Sequence, residues 1–268
     1  MCFLMSVTQE SVYKQWGALL DEAGAEAGPL LETRAAEGAA DGNASRLIVR
    51  EELPTYYCAT GFAHPLWPVV CGGARLGVEL VRWGLVPFWV KDAEQARTMR
   101  KNTLNARSET IYQKPSFRSS MTRQRCLVLA DGFFEPHKHD GKSYQFYCSL
   151  EGHEAFAFAG IYSVWKNPES GVSEKGFSII TTPSNELMSV VHNEKLRMPV
   201  ILEHEDEGRW LDPRLPKEEV VEMLAPRDIP RLRAYTVSRS VSTRNADPND
   251  PRSQDRVEYP ELAHLRLG

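Results

Sequence analysis

The sequence has few cysteines, and their spacing suggests neither disulfide bonds nor a metal cluster. There are five in 268 residues, an odd number, and no two form a CxxC pair. A disulfide framework or a zinc site would need paired cysteines at short spacing. The spacing therefore predicts a reduced, intracellular environment, with no metal and no cofactor.

Long apolar runs are also missing. No stretch approaches the roughly 20 consecutive apolar residues that cross a bilayer. The first ten residues, MCFLMSVTQE, lack the basic region and the long apolar run of a secretory signal peptide. These absences predict a cytoplasmic protein that does not associate with membranes.

The chain has no overall excess of basic charge, since its formal net charge is −4. Taken alone, this balance is evidence against a nucleic-acid binder. Between positions 91 and 125, however, nine basic residues stand against three acidic ones. This basic segment could be an ordinary solvated face, or it could follow the phosphates of a single strand whose bases stack on nearby aromatic residues. The aromatic candidates are Trp83, Trp89, Tyr112 and Phe117.

Short apolar runs rich in β-branched and aromatic residues predict strands between about residues 51 and 201. No regular alternation of strand and helix is visible, which favours an α+β domain built on a largely antiparallel sheet. Asp140-Gly141 between two such runs predicts a hairpin. Helical patterns occur at 8–23, 92–100, 184–192 and 216–224.

We expect a single domain over residues 1–250. Residues 22–44 are rich in Ala, Gly and Glu, which predicts a helix end followed by a variable acidic surface loop. Residues 251–268 form a polar C-terminal tail that is predicted to lie on the surface or to be disordered.

Cys2 directly follows Met1, and this position has a chemical consequence. Removal of Met1 would leave Cys2 with a free α-amine beside its thiol, an arrangement that no internal cysteine can present. An aldehyde could form a Schiff base with the amine, and the thiol could then close a thiazolidine ring. The alternative is an unreactive small residue at the start of the chain.

Three further segments place polar groups beside apolar runs. In NARSET, Asn105, Arg107 and Glu109 would share one face of an extended segment. Glu135 follows two phenylalanines, and an apolar setting would raise its pKa toward values suited to acid–base catalysis. His192 would end a helix, where the helix dipole favours a protonated imidazole. Each of these groups could equally be a structural or solvent-facing residue.

These segments, in this order, resemble the SRAP (SOS response-associated peptidase) family, proteins that sense abasic sites in single-stranded DNA. The matching strings are Met1-Cys2, WGLVPFWVKD, NARSET, RCLVLADGFFE, FAFAGIY, TTPSNELMSVVH, RMPVIL and YTVSRSVSTRNADP. The resemblance implies a single SRAP-like domain with a barrel-like sheet and short flanking helices. The family's catalytic set falls on Cys2, Asn105, Glu135 and His192. Its DNA contacts fall on Arg107, Trp83 and Arg197.

The chain departs from the family pattern at three places. Phe3 and Leu4 follow Cys2 where Gly-Arg is usual, so a DNA contact from that arginine is missing. Pro136 replaces the tryptophan that commonly follows the catalytic glutamate. The four residues between His192 and Arg197 are more than the usual motif has.

The resemblance implies an enzyme that crosslinks to abasic sites in single-stranded DNA through Cys2, with lyase activity as a corollary. A monomer associated with a bacterial nucleoid is then expected. The first alternative is a cysteine peptidase whose nucleophile is the N-terminal residue, as the family's name suggests. The second is a single-strand-binding module that forms no covalent bond, for which Cys2 would be dispensable.

Overall fold

The computed structural model describes residues 2–34, 47–73, 76–243 and 246–267. The strands are β1 (Leu4–Val7), β2 (Tyr56–Thr60), β3 (Leu66–Cys71), β4 (Val78–Trp83), β5 (Asn105–Arg107), β6 (Arg125–Ala130), β7 (Gly132–His139), β8 (Lys142–Leu150), β9 (Phe156–Lys166), β10 (Ser173–Pro183), β11 (Arg197–Pro199), β12 (Ile201–Leu202) and β13 (Leu232–Val237). The helices are α1 (Gln9–Arg34), α2 (Ala93–Asn102), α3 (Arg118–Arg123), α4 (Glu186–Val191), α5 (His204–Leu211) and α6 (Lys217–Met223).

Five strands close into a barrel. Their order is β10-β4-β3-β6-β9, and β9 pairs again with β10 to complete the ring. Only the pairing of β10 with β4 within this ring is parallel, and the short β5 also runs parallel to β10. The predicted α+β class with a largely antiparallel, barrel-like sheet is therefore confirmed.

A second, fully antiparallel sheet has the order β13-β8-β7-β1-β2. The chain passes from the barrel into this sheet at Asp131, where β6 ends and β7 begins. Asp131 forms a bend between the two strands. Gly132 is required at this point, because a Cβ atom on it would lie 2.2 Å from the Tyr147 hydroxyl. The two sheets are thus joined immediately before β7, the strand that carries Glu135.

The hairpin predicted at Asp140-Gly141 is confirmed. Both residues have positive φ values, 46° and 72°, as a tight two-residue turn requires. The turn pairs His139 with Lys142 and sets the register of β7 against β8, in which Glu135 lies opposite Phe146. Glu135 and Phe146 therefore stand next to each other on the same face of the sheet.

The four predicted helices are present, and α3 and α5 were missed because their few apolar residues leave little periodic signal. α1 differs from expectation: it continues to Arg34, through part of the segment predicted as a loop. Alanine and glutamate, both good helix formers, are frequent there. The rest of the predicted loop, residues 35–44, lies outside the described residues. None of the helices in the described ranges is long and apolar enough to cross a membrane.

The predicted C-terminal tail lies mostly on the surface, as one of the two expected alternatives has it, and it also has defined contacts with the domain. Leu262 is buried in the main hydrophobic core, and the Tyr144 hydroxyl donates to Glu261 at 2.5 Å. The backbone of Val237 bridges that of Arg256 beside β13. Polar composition concealed the few apolar residues that anchor this segment.

Candidate active site

Cys2 lies directly before β1 and is fully buried. The side-chain amide of Asn105 donates from Nδ2 to the carbonyl oxygen of Cys2 at 2.8 Å. Asn105 is held in place by β5, whose register pairs it with Ile179 of β10. Its Oδ1 atom is buried and has no hydrogen-bond partner among the described residues. Asn105 therefore binds the backbone of Cys2 and retains one acceptor beside it.

Glu135 projects from β7 into the interior and has no exposed surface. Burial disfavours the charged carboxylate and raises the pKa of Glu135 to about 7. The prediction of a raised pKa in an apolar setting agrees with this geometry. Near neutral pH the carboxyl group is about half protonated, so it can both donate and accept a proton.

His192 caps the end of α4 and is also buried. Its Nδ1 atom lies 3.3 Å from Glu135 Oε2 and 3.1 Å from the carbonyl oxygen of Arg197. A carbonyl oxygen can only accept, so we assign the ring proton to Nδ1, which leaves Nε2 as an acceptor. The expected protonation of His192 is wrong. Burial lowers the pKa of His192 to about 4, which outweighs the dipole of a helix only six residues long.

Two hydrogen-bonded links fix the end of α4 against β7. His137 Nδ1 lies 2.8 Å from the carbonyl oxygen of Val190. Asn193 Oδ1 accepts from the Lys138 amide at 2.9 Å, and its Nδ2 donates to the Lys138 carbonyl oxygen at 2.8 Å. These links hold His192 beside Glu135. Nothing in the sequence indicated either link.

A pocket of about 310 Å³ opens onto this pair. His192, Glu135 and Pro136 form one side of it, and Phe62 and Thr60 lie on another. We call this space the inner pocket. It shares Leu4, Thr60, Phe62 and Ser242 with a neighbouring groove of about 740 Å³.

The thiol of Cys2 is not activated in this form of the chain. Burial, together with the negative charge of Glu135, raises its pKa well above the ordinary value. The sulfur makes a long contact of 3.7 Å to the carbonyl oxygen of Leu4. The thiol is therefore protonated at neutral pH.

Arg197 is placed where a DNA contact is not available to it. It is 7% exposed, and it donates from Nη1 and Nη2 to the two carboxylate oxygens of Glu109 at 2.6 and 2.9 Å. Nη2 also donates to the carbonyl oxygen of Thr181 at 2.7 Å. We call Arg197, Glu109 and Thr181 the arginine clamp. The implied role of Arg197 as a DNA contact stays a prediction, and in the described structure its guanidinium is bound within the protein.

Trp83 is likewise an internal residue. It has no exposed surface, and its indole donates to the carbonyl oxygen of Leu104 at 3.0 Å. Its ring stacks on Phe177, and Gly61 passes so close that a Cβ atom there would lie 2.9 Å from the indole. Its implied position near the DNA path stays a prediction, while the described structure leaves no exposed ring surface that could stack on a base. Its role is in packing.

Arg107 is the exposed residue of the three implied DNA contacts. It ends β5, two positions after Asn105. The expected extended face through Glu109 is wrong beyond this point, because the chain turns into a 3-10 helix at Ser108–Thr110. That turn directs Glu109 into the arginine clamp and leaves Arg107 at the surface.

Several residues of the site were not predicted from the sequence to belong to it. Asp131 accepts hydrogen bonds from Ser6 at 2.5 Å and Ser11 at 3.0 Å, and so anchors β1 and the start of α1. Phe62 and Phe3 form an aromatic pair at the inner pocket, with ring centroids 4.9 Å apart. Phe3, a departure from the family pattern, therefore has a defined partner.

The sequence and fold were compared with those of known proteins. The model of the family described as SOS response associated peptidase (SRAP) matches residues 38–244. The chain is 38% identical over 195 residues to the abasic site processing protein YoqW of Bacillus subtilis, a match that covers 72% of this chain and 83% of the relative. It is 28% identical over 189 residues to the abasic site processing protein HMCES of Xenopus tropicalis, covering 63% and 55% of the two chains.

A crystal structure of a protein from Bacteroides thetaiotaomicron superimposes with a TM-score of 0.77 at 32% identity, over 96% of this chain and all of that one. A protein from Bordetella bronchiseptica has the same fold at 22% identity, with a TM-score of 0.67 over 88% of this chain and all of that one. The family match spans most of the barrel and the second sheet, including the segments of Asn105, Glu135 and His192. The chain belongs to the SRAP family.

Proposed function

We propose that this protein processes abasic sites in single-stranded DNA by forming a covalent thiazolidine through Cys2. The observation that carries the proposal is the placement of Cys2 by Asn105 beside the buried pair of Glu135 and His192. Two relatives, YoqW and HMCES, are named abasic site processing proteins. An abasic site offers an aldehyde in its open-chain form, which is the partner that a 1,2-aminothiol selects.

The nucleophile would be formed when the Met1–Cys2 peptide bond is hydrolysed. One water is consumed, methionine leaves, and the Cys2 nitrogen becomes a free amine. Asn105 already binds the Cys2 carbonyl oxygen, and its partnerless Oδ1 would accept a hydrogen bond from the new amine. The amine would thus be oriented by the same side chain that holds the backbone.

Opening of the abasic sugar needs a base and an acid. Neutral His192, with Nε2 as acceptor, would take the proton from the hemiacetal hydroxyl while the ring C–O bond breaks. Glu135, about half protonated near neutral pH, would supply a proton to the ring oxygen. This reverses the direction of proton transfer expected for a cationic histidine.

The Cys2 amine would then add to the aldehyde carbon while His192 returns its proton to the carbonyl oxygen. Glu135, left ionised by ring opening, would take a proton from the nitrogen and pass it to the departing hydroxyl, so that one water leaves. The resulting iminium would give its N–H proton back to Glu135 and leave a neutral imine. Addition of the Cys2 sulfur to the imine carbon, with the thiol proton passing to nitrogen, would close the five-membered ring. The imine would also permit β-elimination of the 3′ phosphate, so weak lyase activity is part of the proposal.

A cysteine peptidase is the weaker alternative on physical grounds. Such enzymes depend on a thiolate stabilised by a protonated histidine, which lowers the pKa of the cysteine. Here burial raises the pKa of Cys2 and lowers that of His192. Both directions oppose a thiolate–imidazolium pair.

We further propose that the protein acts as a cytoplasmic, nucleoid-associated monomer that requires no cofactor. The exposed Arg107 and the exposed basic residues of α2, Arg97 and Lys101, would bind phosphates of the strand. Binding would weaken as salt increases, because each phosphate contact releases a counterion.

The test is intact mass spectrometry of the purified protein with and without abasic single-stranded DNA. We expect loss of Met1 and an adduct equal in mass to protein plus DNA minus one water. Cys2→Ser keeps the amine and removes the thiol, so its adduct should survive only after borohydride reduction. Cys71→Ala, a matched change of a buried cysteine within the barrel, should form the adduct as the wild type does.

A stable adduct of Cys2→Ser without reduction would rule out the thiazolidine. Reversible binding of wild-type protein without any adduct would instead favour a non-covalent single-strand-binding module. Cleavage of a peptide panel in the absence of DNA, lost in Cys2→Ser, would favour the peptidase.

A further inference from the structure

The turn between His192 and Arg197 places two charged side chains at the inner pocket. Glu194 and Lys195 both line it, beside His192 and Glu135. This turn consists of the four residues between His192 and Arg197, a segment that is shorter in the usual family motif. Neither charged residue has a role in the proposed mechanism.

The turn is firmly held. Asn193 binds both backbone groups of Lys138 on β7, and the Leu196 amide donates to the carbonyl oxygen of His192 at 2.9 Å. The Ser184 amide donates in turn to the carbonyl oxygen of Leu196 at 3.0 Å. Leu196 has a φ of 51°, a left-handed conformation that closes the turn tightly. Glu194 and Lys195, at the tip, are exposed.

The charge balance of the inner pocket poses a problem for a phosphate-bearing ligand. Glu194 is negative and Glu135 is about half ionised near neutral pH, while His192 is neutral. Among the described residues that line the pocket, Lys195 is the only lysine or arginine. A DNA strand that enters the pocket brings a phosphate on either side of the sugar. Apart from Lys195, the described residues that line the pocket offer these phosphates only negative or neutral side chains.

In the described structure the Arg197 guanidinium is bound in the arginine clamp and does not line the inner pocket. Lys195 lies only two residues earlier, on the exposed side of the same segment. Its long, flexible side chain ends in a compact ammonium group that binds phosphate as a point charge.

We propose that Lys195 binds a phosphate next to the abasic sugar, and that Glu194 opposes this contact and so limits how tightly DNA is held. The proposal rests on the proposed function, since it assumes that a DNA strand enters the inner pocket. It assigns to the extended turn the contact that the family resemblance places on Arg197.

The test uses single-stranded DNA with one tetrahydrofuran residue, an abasic analogue without an aldehyde, so that binding is measured apart from chemistry. Affinity is determined by fluorescence anisotropy across a series of salt concentrations. Lys195→Ala should weaken binding about 3–10-fold at 0.1 M salt and make the plot of log affinity against log salt shallower by about 0.7. Lys195→Arg should restore both values, and Glu194→Gln should tighten binding by a smaller factor.

Lys166→Ala is the matched control. Lys166 is an exposed lysine at the end of β9 in the barrel, and it does not line the inner pocket. It should leave affinity and salt dependence unchanged. An unchanged affinity and slope in Lys195→Ala would overturn the proposal, as would an equal loss in Lys166→Ala. Failure of the wild type to form an adduct with a true abasic site would instead count against the proposed function, and the two results are read in separate assays.

Discussion

Glu135 in the inner pocket and Glu109 in the arginine clamp are the same residue type in two opposite environments. Glu135 has no exposed surface, and burial raises its pKa to about 7. The Glu109 side chain is 46% exposed, and the hydrogen bonds from Arg197 lower its pKa to about 2. The difference shows that the surroundings, and not the residue type, determine whether a carboxylate transfers protons or holds a structure together.

Both environments depend on the same short segment. His192, at its start, contacts Glu135, and Arg197, at its end, binds Glu109. The carbonyl oxygen of Arg197 also lies 3.1 Å from His192 Nδ1. Arg197, whose guanidinium is held by Glu109, therefore contacts the neutral His192 through its backbone carbonyl oxygen. We expect mutations to separate proton transfer by Glu135 from structural stabilisation by Glu109.

The largest effect should come from replacing Glu135 with glutamine, and the same replacement of Glu109 serves as the comparison. Glu135→Gln should lower the single-turnover rate of crosslinking about 10²–10⁴-fold at saturating DNA, because the group that donates and accepts protons is lost. The step in the pH–rate profile near pH 7 should disappear with it. Glu109→Gln should change this rate no more than a few-fold. Equal losses in both variants would contradict the comparison.

The next effect concerns stability. Arg197→Met should lower the free energy of unfolding by about 2–3 kcal/mol in urea titrations, because Glu109 and the Thr181 carbonyl oxygen lose their charged donor. Arg107→Ala, a change of an exposed arginine, should alter stability by less than about 0.5 kcal/mol. The same variant should make the salt dependence of DNA binding shallower by about 0.7. The reverse pattern would return the DNA contact to Arg197.

The smallest effect is the pH dependence of stability. Because the folded-state pKa of Glu135 is raised to about 7, the folded state holds its proton longer than the unfolded state, and stability falls as pH rises from about 4.5 to 7. His192, with its pKa lowered to about 4, has the opposite sign between about 4 and 6.5 and masks part of this loss. Glu109 contributes stability that is present above its ordinary pKa and is lost as pH falls toward 2.

Glu135→Gln should therefore gain stability relative to the wild type by about 1–3 kcal/mol between pH 4.5 and 8. Urea titrations at several pH values would measure the difference. A difference that does not change over this range would mean that Glu135 ionises as it does in the unfolded chain.

Much of the fold followed from local patterns. Short β-branched runs indicated the strands, and Asp140-Gly141 marked the hairpin that aligns Glu135 with Phe146. The raised pKa of Glu135 could be anticipated because its neighbours in sequence are bulky and apolar. The pairing of β9 with β10 that closes the barrel could not be, because register and closure depend on contacts between distant segments.

The surroundings of the site residues could not be predicted for the same reason. Arg197 and Trp83 were assigned to DNA by motif, and their burial was not visible in the sequence. The charge of His192 was inferred from its helix, whereas the burial that determines it comes from several strands. Glu194 and Lys195 were visible as extra residues, but their position at the pocket depends on the bonds from Asn193 to β7.

The sequence by itself determined the chemical inventory of this protein: a cysteine directly after Met1, an asparagine, a glutamate and a histidine in ordered motifs, and the strand pattern that carries them. These are properties of residue type and local spacing. The tertiary structure alone decided which groups are charged, which arginine is exposed and what faces the pocket. Burial and hydrogen bonding, which set each pKa and each exposed surface, arise only when segments far apart in the chain are packed together.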